Sequence, residues 1–442
     1  MSKECLEYLN FALSEGGRVA LNLPLGNTLV AAEYKNCRCE ADGLYCGLGS
    51  SIVTRADGNF FKMTNNNVTH QVCTYYYEQS GYKRLGFFAT TSTGRLYHVS
   101  NNGTQTLVLS DLGALNMCAL PSKDGYDGVC VAAASGLWMV DRQGNAVKYF
   151  DKTNKTVCFF GDRVFFAEGS GVRFSDAGNL TDFTESAYGG GRIEILEGEG
   201  VVEDMLPLDD CILLFKKDCV LQFFAKGAAK DFRVRKLTGL PAPIVKGSAV
   251  RCGKYTVFTG IDCKAYRMEG GRVEILAQGL PAICASSNTR PFASDGSRYY
   301  IGTNQYTLAI NVLDGRVHTF HTMYGISNSY SGTVGFYKDN LRMILPAAAM
   351  AAGETSEFTV RNWAFKDEKE KVIEKLVFYG SGTMGLTWGK GEYASSVSVA
   401  LSESGVSVPI QARGKRFDFT LKPGYSSRLI KLDVEYSLVG GA

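Results

Sequence analysis

"KYTVFTGIDCKAYRMEGGRVEIL", residues 254–276, is an apolar strand, a short turn, a second strand carrying Tyr266 and Met268, a Gly-Gly turn and a third strand. The same order recurs in "GFFATTSTGRLYHVSNNGTQTLVL" from 86, "GVCVAAASGLWMVDRQGNAVKYF" from 128, "DRVFFAEGSGVRFSDAGNLTDFT" from 162, "CILLFKKDCVLQFFAKGAAKDFRV" from 211 and "SRYYIGTNQYTLAINVLDGRVHTF" from 297. Their outer-turn glycines, Gly103, Gly144, Gly178, Gly227, Gly271 and Gly315, are spaced by 41, 34, 49, 44 and 44 residues. That spacing matches one four-stranded propeller blade, for which roughly 40–50 residues is usual. The near-repeats "GRIEIL" at 191, "GRVEIL" at 271 and "GRVHTF" at 315 support the period, and the unit over 155–196 departs most from it.

A single blade leaves both faces of its sheet uncovered, so the units are expected to pack radially into a closed disc. The fold class is all-β: a six-bladed β-propeller with an additional C-terminal antiparallel β domain. A seventh blade arises if the early "GSSIVTRADGNFFKM" pairs with the late "GTVGFYKDNLRMIL", closing the ring with strands from both ends. The expected division is 1–40 as an N-terminal arm or short helix, 41–350 as the propeller and 351–442 as the C-terminal β domain. In "MSKECLEYLNFALSE", Ser2 would cap a helix with Leu6, Leu9 and Leu13 on one side. Beyond "PAAAMAAGETSE", the charged "FKDEKEKVIEKLVFYGSG" reads as a helix or an exposed strand edge. Alternation then places Phe417, Phe419 and Leu421 on one face, and Ile430, Leu432, Val434 and Tyr436 on another.

Composition agrees with this architecture. Fifty Gly, only ten Pro, 23 Tyr and 25 Phe in 442 residues describe many short aromatic strands joined by tight turns. The net charge of +3 shows no basic excess of the kind that marks a nucleic-acid binder. No secretory signal is expected at the N-terminus, and the longest apolar run, "MILPAAAMAA", is short of the ~18–20 residues of a membrane span. Thirteen Cys in such a chain are expected to be reduced, several of them as small core residues in "TVCFF", "GVCVAA" and "DCVLQFF".

Candidate sites are few. Cys37, Cys39 and Cys46 in "KNCRCEADGLYCGLG" would approach one another around an Asp42-Gly43 turn, but structural zinc takes four ligands and a fourth is missing nearby. The expectation is a hairpin, the first of the repeated architecture. Of His70, His98, His318 and His321, the last two are three apart on a strand and face opposite ways. "GLGS" at 47 lacks a nucleophile-elbow setting, and "YGGG" at 188 and "GKGEY" at 389 open no helix for a phosphate. "SDAGNLTDF", 175–183, approaches the Asp-box turn of sialidase-like propellers in a displaced register, and that motif is structural. "EGEGVVEDMLPLDD" lacks the spaced oxygen ligands of a Ca²⁺ loop and is expected to be a solvated edge. Arg413, Lys415, Arg416, Lys422, Arg428 and Lys431 form the most basic region, expected as the polar face of half-buried strands. No catalytic, cofactor-binding or metal residue is assigned, no cofactor is expected, and the chain is expected not to be an enzyme. A glycosidase propeller would need converging carboxylates, or a Tyr nucleophile with an Arg cluster.

Four segments, "YKNCRCEADGLYCGLG", "VRFSDAGNLTDFTE", "EGEGVVEDMLPLDDCILLFKKDCVLQF" and "IQARGKRFDFTLKPGYSSRLIKLDVEY", resemble in order the β-propeller structural proteins of tailed-phage virions, the stabilization or tail-nozzle proteins of podoviruses. The second has Leu180 where that family commonly has Pro. The resemblance covers about 34–436 and implies a homo-oligomeric ring, a hexamer by preference. This ring would lie below the portal and adaptor proteins, anchor tail fibres or spikes, and retain the packaged dsDNA, which passes without sequence specificity. It implies a virion tail or neck location after synthesis in the host cytoplasm, and no catalytic residues. The alternative is a receptor- or carbohydrate-binding propeller at a tail tip or cell surface.

Overall fold

In the computed structural model, Tyr255–Gly260, Lys264–Glu269 and Arg272–Ala277 form an antiparallel meander with Val250–Cys252 on its inner side. Glu269 pairs with Arg272, leaving a two-residue turn at Gly270 and Gly271 with φ of 56° and 92°. Two positive φ values are what a type I′ hairpin turn demands, which is why this position reads Gly-Gly. Gly144, Gly227 and Gly315 also have positive φ. Gly178 lies in a longer loop, and Gly103 falls outside the described residues.

The described residues are 69–345 and 356–439, apart from 80–81, 92, 101–103, 114, 121–127, 155, 281–283, 285–291, 304–306, 321–322, 330–331, 338–339, 364–369, 390–393 and 425–426; before these come only the strands 4–8, 10–13, 28–31, 33–35, 37–40, 43–46 and 49–52. Seven four-stranded antiparallel sheets follow one another along the chain. Blades 1 to 6 span Thr69–Leu109, Leu115–Phe150, Val157–Glu194, Asp204–Gly239, Val250–Ala277 and Phe292–Phe320. Blade 7 is Tyr324–Leu345, completed on its outer side by Gly49–Ile52, which runs antiparallel to Asn340–Leu345 with Met343 opposite Ser51. The ring therefore has seven blades, not six, and closes with the early strand as the seventh-blade pattern requires.

Strand alternation explains the cores between blades. In blade 5, Val257 and Ala265 pack against blade 6 with Tyr299, Ile301 and Ile310, while Phe258, Tyr266 and Met268 pack against Leu213, Phe215 and Val220 of blade 4. Both faces are buried, so the strands read as nearly continuous apolar runs. Each neighbouring pair of blades shares one such cluster. The circle is completed where Val72, Phe87 and Tyr97 of blade 1 meet Val334 and Leu341 of blade 7. Burying an aliphatic or aromatic side chain of this size stabilises by roughly 1.5–3 kcal/mol, so closing a ring of such contacts decides the fold.

The C-terminal region is a sandwich of two sheets. One has the order Val406–Gly414, Lys371–Ser381, Arg428–Leu438, Gly43–Cys46, Cys37–Glu40, with Glu4–Tyr8 also paired to Arg428–Leu438. The other has the order Ser395–Ala400, Thr383–Trp388, Phe417–Pro423, Glu357–Trp363, Glu33–Lys35. Phe378, Leu432, Val434 and Tyr436 of the first meet Phe358, Leu386, Phe419 and Leu421 of the second.

Several expectations change here. Residues 4–8 and 10–13 are strands, not a helix. The hairpin Cys37–Glu40/Gly43–Cys46 and the strands Glu4–Tyr8 and Glu33–Lys35 belong to the sandwich sheets, not to an arm, while Asn10–Leu13 and Thr28–Ala31 pair with each other in parallel. The described part of the charged stretch is the interior strand Lys371–Ser381, neither helix nor edge, while 365–369 lie outside the described residues. Tyr379 pairs with Lys431 but Gly380 pairs with Leu429, a bulge that turns Leu429 into the core in place of Ile430. Gly380 fits because a Cβ there would collide with the Arg428 carbonyl oxygen.

Candidate functional site

Sulfur and imidazole groups are structural where they are described. Cys73, Cys130, Cys158, Cys211, Cys219, Cys252 and Cys284 are buried thiols that form no disulfide. Burial pushes the Cys219 and Cys252 thiols up to about 11 and holds them protonated. Cys37 stands opposite Cys46 and Cys39 opposite Leu44 in the backbone register, while their side chains and Asp42 lie outside the described residues. His98 is buried against Phe88, with its Nε2 2.6 Å from the Tyr75 hydroxyl, and burial lowers its pKa. His70 and His318 lie on strands, but their side chains, and all of His321, are outside the described residues. Among the described residues, no group of three or more His, Cys, Asp or Glu is placed to hold a metal ion.

The loop 175–190 owes its shape to an arginine that belongs to none of the motifs above. Arg163 is buried at the start of the second strand of blade 3. Its guanidinium donates to the carbonyls of Ser175 at 2.7 Å, Gly189 at 2.6 Å, Tyr188 at 2.9 Å and Gly227 at 3.2 Å, and it lies over the rings of Phe174 and Phe232. Asp176 accepts from the Gly178 N–H, Asn179 from Thr181 and Asp182 from Thr184, which are local turn contacts. This Asp-box-like segment and the glycines after Tyr188 are a buttressed turn. "GLGS" leads into the strand Gly49–Ile52, and most of "GKGEY" lies outside the described residues.

The acidic run is not simply a solvated edge. Glu199 pairs with Lys217, Glu203 with Lys246, Asp209 with Arg251 and Asp210 with Lys226. Asp204 is buried, accepting from the N–H groups of Met205 and Ala249, and desolvation raises its pKa to about 7. Glu203 and Asp209 reach toward blade 5, Glu199 and Asp210 pair with lysines of blade 4 itself, and among the described residues the carboxylates are not grouped around a cation site.

The basic residues of the C-terminal region do not form one face. Arg413 makes a two-bond contact with Glu370, Lys422 pairs with Glu357 in the other sheet, Lys431 pairs with Asp433 and covers Tyr379, and Lys415 is exposed in a turn. Positive charge gathers instead on blade 4. Arg233 and Arg235, two apart on its outer strand, lie over Phe224 at 5.5 and 5.7 Å. Beside them is a groove of about 490 Å³ between blades 4 and 5, walled by Phe224, Tyr255, Arg235 and the Arg251–Asp209 pair. The sequence signal was "DFRVRK", a cationic run inside a blade strand.

The chain is an all-β propeller protein with an added sandwich. No protein-family profile matches it, and no curated protein is similar to it in sequence. Among solved structures it is similar to PorZ, a bacterial surface component of the type-IX secretion system of Porphyromonas gingivalis, at 14% identity and a TM-score of 0.41, covering 76% of this chain and 46% of that one. It is also similar to the Pan2 WD40 domain of Neurospora crassa, at 8% identity and 0.41, covering 62% of this chain and 88% of that one. A third similarity is to the computationally designed Ika8 protein, at 12% identity and 0.39, covering 65% of this chain and 100% of that one. The chain spans less than half the length of the first of these.

Proposed function

We propose that this chain is a virion structural protein. In this reading it is a subunit of a homo-oligomeric tail-nozzle or stabilization ring below the portal and adaptor, forming part of the channel through which packaged dsDNA is retained and later released. The observation that carries the reading is the way the body is locked. Strands 4–8, 33–35, 37–40 and 43–46 pair into the sandwich, 49–52 supplies the outer strand of blade 7, and strands 357–363 to 428–438 complete the sandwich after the ring. Segments from before and after the ring thus build one domain and share strands with the other, as suits a load-bearing ring subunit.

The described side chains support the same role. Most of the described thiols are buried, and two ion pairs of the acidic run, Glu203–Lys246 and Asp209–Arg251, reach from blade 4 toward blade 5. A net charge of +3 gives little grip on a phosphate backbone, so DNA would slide past without sequence readout. Many copies of one modest interface then add up to stable attachment. A density map of purified virions with this chain assigned in a ring at the neck is the expected result. Absence of the chain from virions, or a strictly monomeric state when it is expressed with its portal, would overturn the reading.

A further inference from the structure

We propose that the outer strand of blade 4, Arg233–Gly239, is a docking edge for an acidic extended segment of a partner protein. The segment adds to the blade as a fifth strand and sets its carboxylates against Arg233 and Arg235. The outer strands of the other blades have four to six residues, and this one has seven. No strand pairs with its outer side among the described residues, so its free N–H and C=O groups offer a ladder to an incoming backbone.

Charge sets this edge apart. The outer-strand cations Lys148, Arg192 and Arg272 of blades 2, 3 and 5 are neutralised by Asp151, Glu194 and Glu274. Arg233, Arg235 and Lys236 are exposed and form no ion pair among the described residues. The nearby carboxylates Asp209 and Asp210 are committed to Arg251 and Lys226. Asp218 feels the charge of Lys236 but spends its oxygen on the Glu199 N–H. Asp231 lies in the one-turn helix before the strand.

The geometry is prepared for carboxylates at alternate positions. Arg233 pairs in register with Phe224, and Arg235 with Gln222, whose amide oxygen accepts from the Arg235 guanidinium. Both guanidiniums lie over Phe224, with N–H donors to spare. A strand laid beside Arg233–Gly239 would point every second side chain over this face, into the groove toward blade 5. Peptide fits better than nucleic acid for two reasons: only a peptide backbone can use the ladder, and Asp209 and Asp210 at the groove interrupt the positive field that a continuous phosphate chain would need. This inference does not rest on the virion reading.

The test is fluorescence anisotropy of the full chain with a fluorescein-labelled Glu-Val-Glu-Val-Glu-Val-Glu peptide. Saturable binding is expected, weakened at least tenfold by the double variant R233E/R235E at unchanged melting temperature, and lost when alternate backbone nitrogens of the peptide are methylated in either register. Three outcomes would overturn the proposal. These are no saturable binding, equal binding of the methylated peptide, and tighter binding of a single-stranded thymidine 20-mer with the same arginine dependence.

Discussion

Blade 5 and blade 7 have the same four-stranded form but different origins. Blade 5 is one uninterrupted stretch, Val250–Ala277, whose turns are encoded by its own glycines. Blade 7 takes its outer strand from Gly49–Ile52, far away in sequence, and that strand continues from a segment already built into the sandwich. Local units are cheap in loop-closure entropy and self-specified, whereas the closing unit couples the ring to the second domain. Blade 7 is therefore where the segment that builds into the sandwich also completes the propeller, and the two domains are expected to unfold together.

The largest test removes that coupling. A chain lacking residues 1–52 loses the outer strand of blade 7 and the sandwich strands 4–8, 33–35, 37–40 and 43–46. It should lose its cooperative unfolding transition, read by near-ultraviolet circular dichroism against temperature. A sharp transition at the native midpoint would show that the ring closes without its N-terminal strand.

Within the locally encoded part, Arg163→Ala strands four backbone carbonyls around a buried site. It should cost about 3–5 kcal/mol in urea unfolding, since each buried carbonyl left without a donor costs roughly 1–3 kcal/mol and packing over Phe174 and Phe232 is lost. In the sandwich, Gly380→Val forces a side chain into the Arg428 carbonyl and displaces the Leu429 bulge. A loss of about 2–4 kcal/mol is expected, with hydrogen exchange accelerating first in Lys371–Ser381.

Asp204 gives a smaller, pH-dependent effect. Its folded pKa is raised to about 7 by burial, so between about pH 4 and pH 7 the folded protein keeps a proton that the unfolded chain has released. Stability should therefore fall as pH rises through that window, and Asp204→Asn should flatten the slope of midpoint against pH. An unchanged slope would show that the carboxylate is ionised in the fold. Smallest of all, Glu370→Gln removes an exposed ion pair with Arg413 and should leave the thermal midpoint unresolved from the parent's.

Much of the propeller was legible because its signals are local. Outer-turn glycines at a fixed period, paired with apolar runs such as "TVFTG" and "KAYRM", report blades one at a time. The N-terminal strands were not legible. "MSKECLEYLNFALSE" carries leucines at helical spacing, but Glu4–Tyr8 is held as a strand by pairing with Val434 and its neighbours, more than four hundred residues away. The basic cluster of the C-terminal region was legible as composition only. Its members divide between two sheets, while the cationic edge of blade 4 depends on which carboxylates the fold happens to engage.

By itself, then, the sequence determined the strand class, the blade period and the positions that must be glycine, because turn conformation and alternating burial act over a few residues. Only the tertiary structure decided the blade count, the partner of Gly49–Ile52, the assignment of the first hairpin to the sandwich and the burial of Arg163 and Asp204. The strand pairings join segments hundreds of residues apart, and the burial of Arg163 and Asp204 needs loops and adjacent blades up to 64 residues away, so their free energy is realised only once those segments have come together.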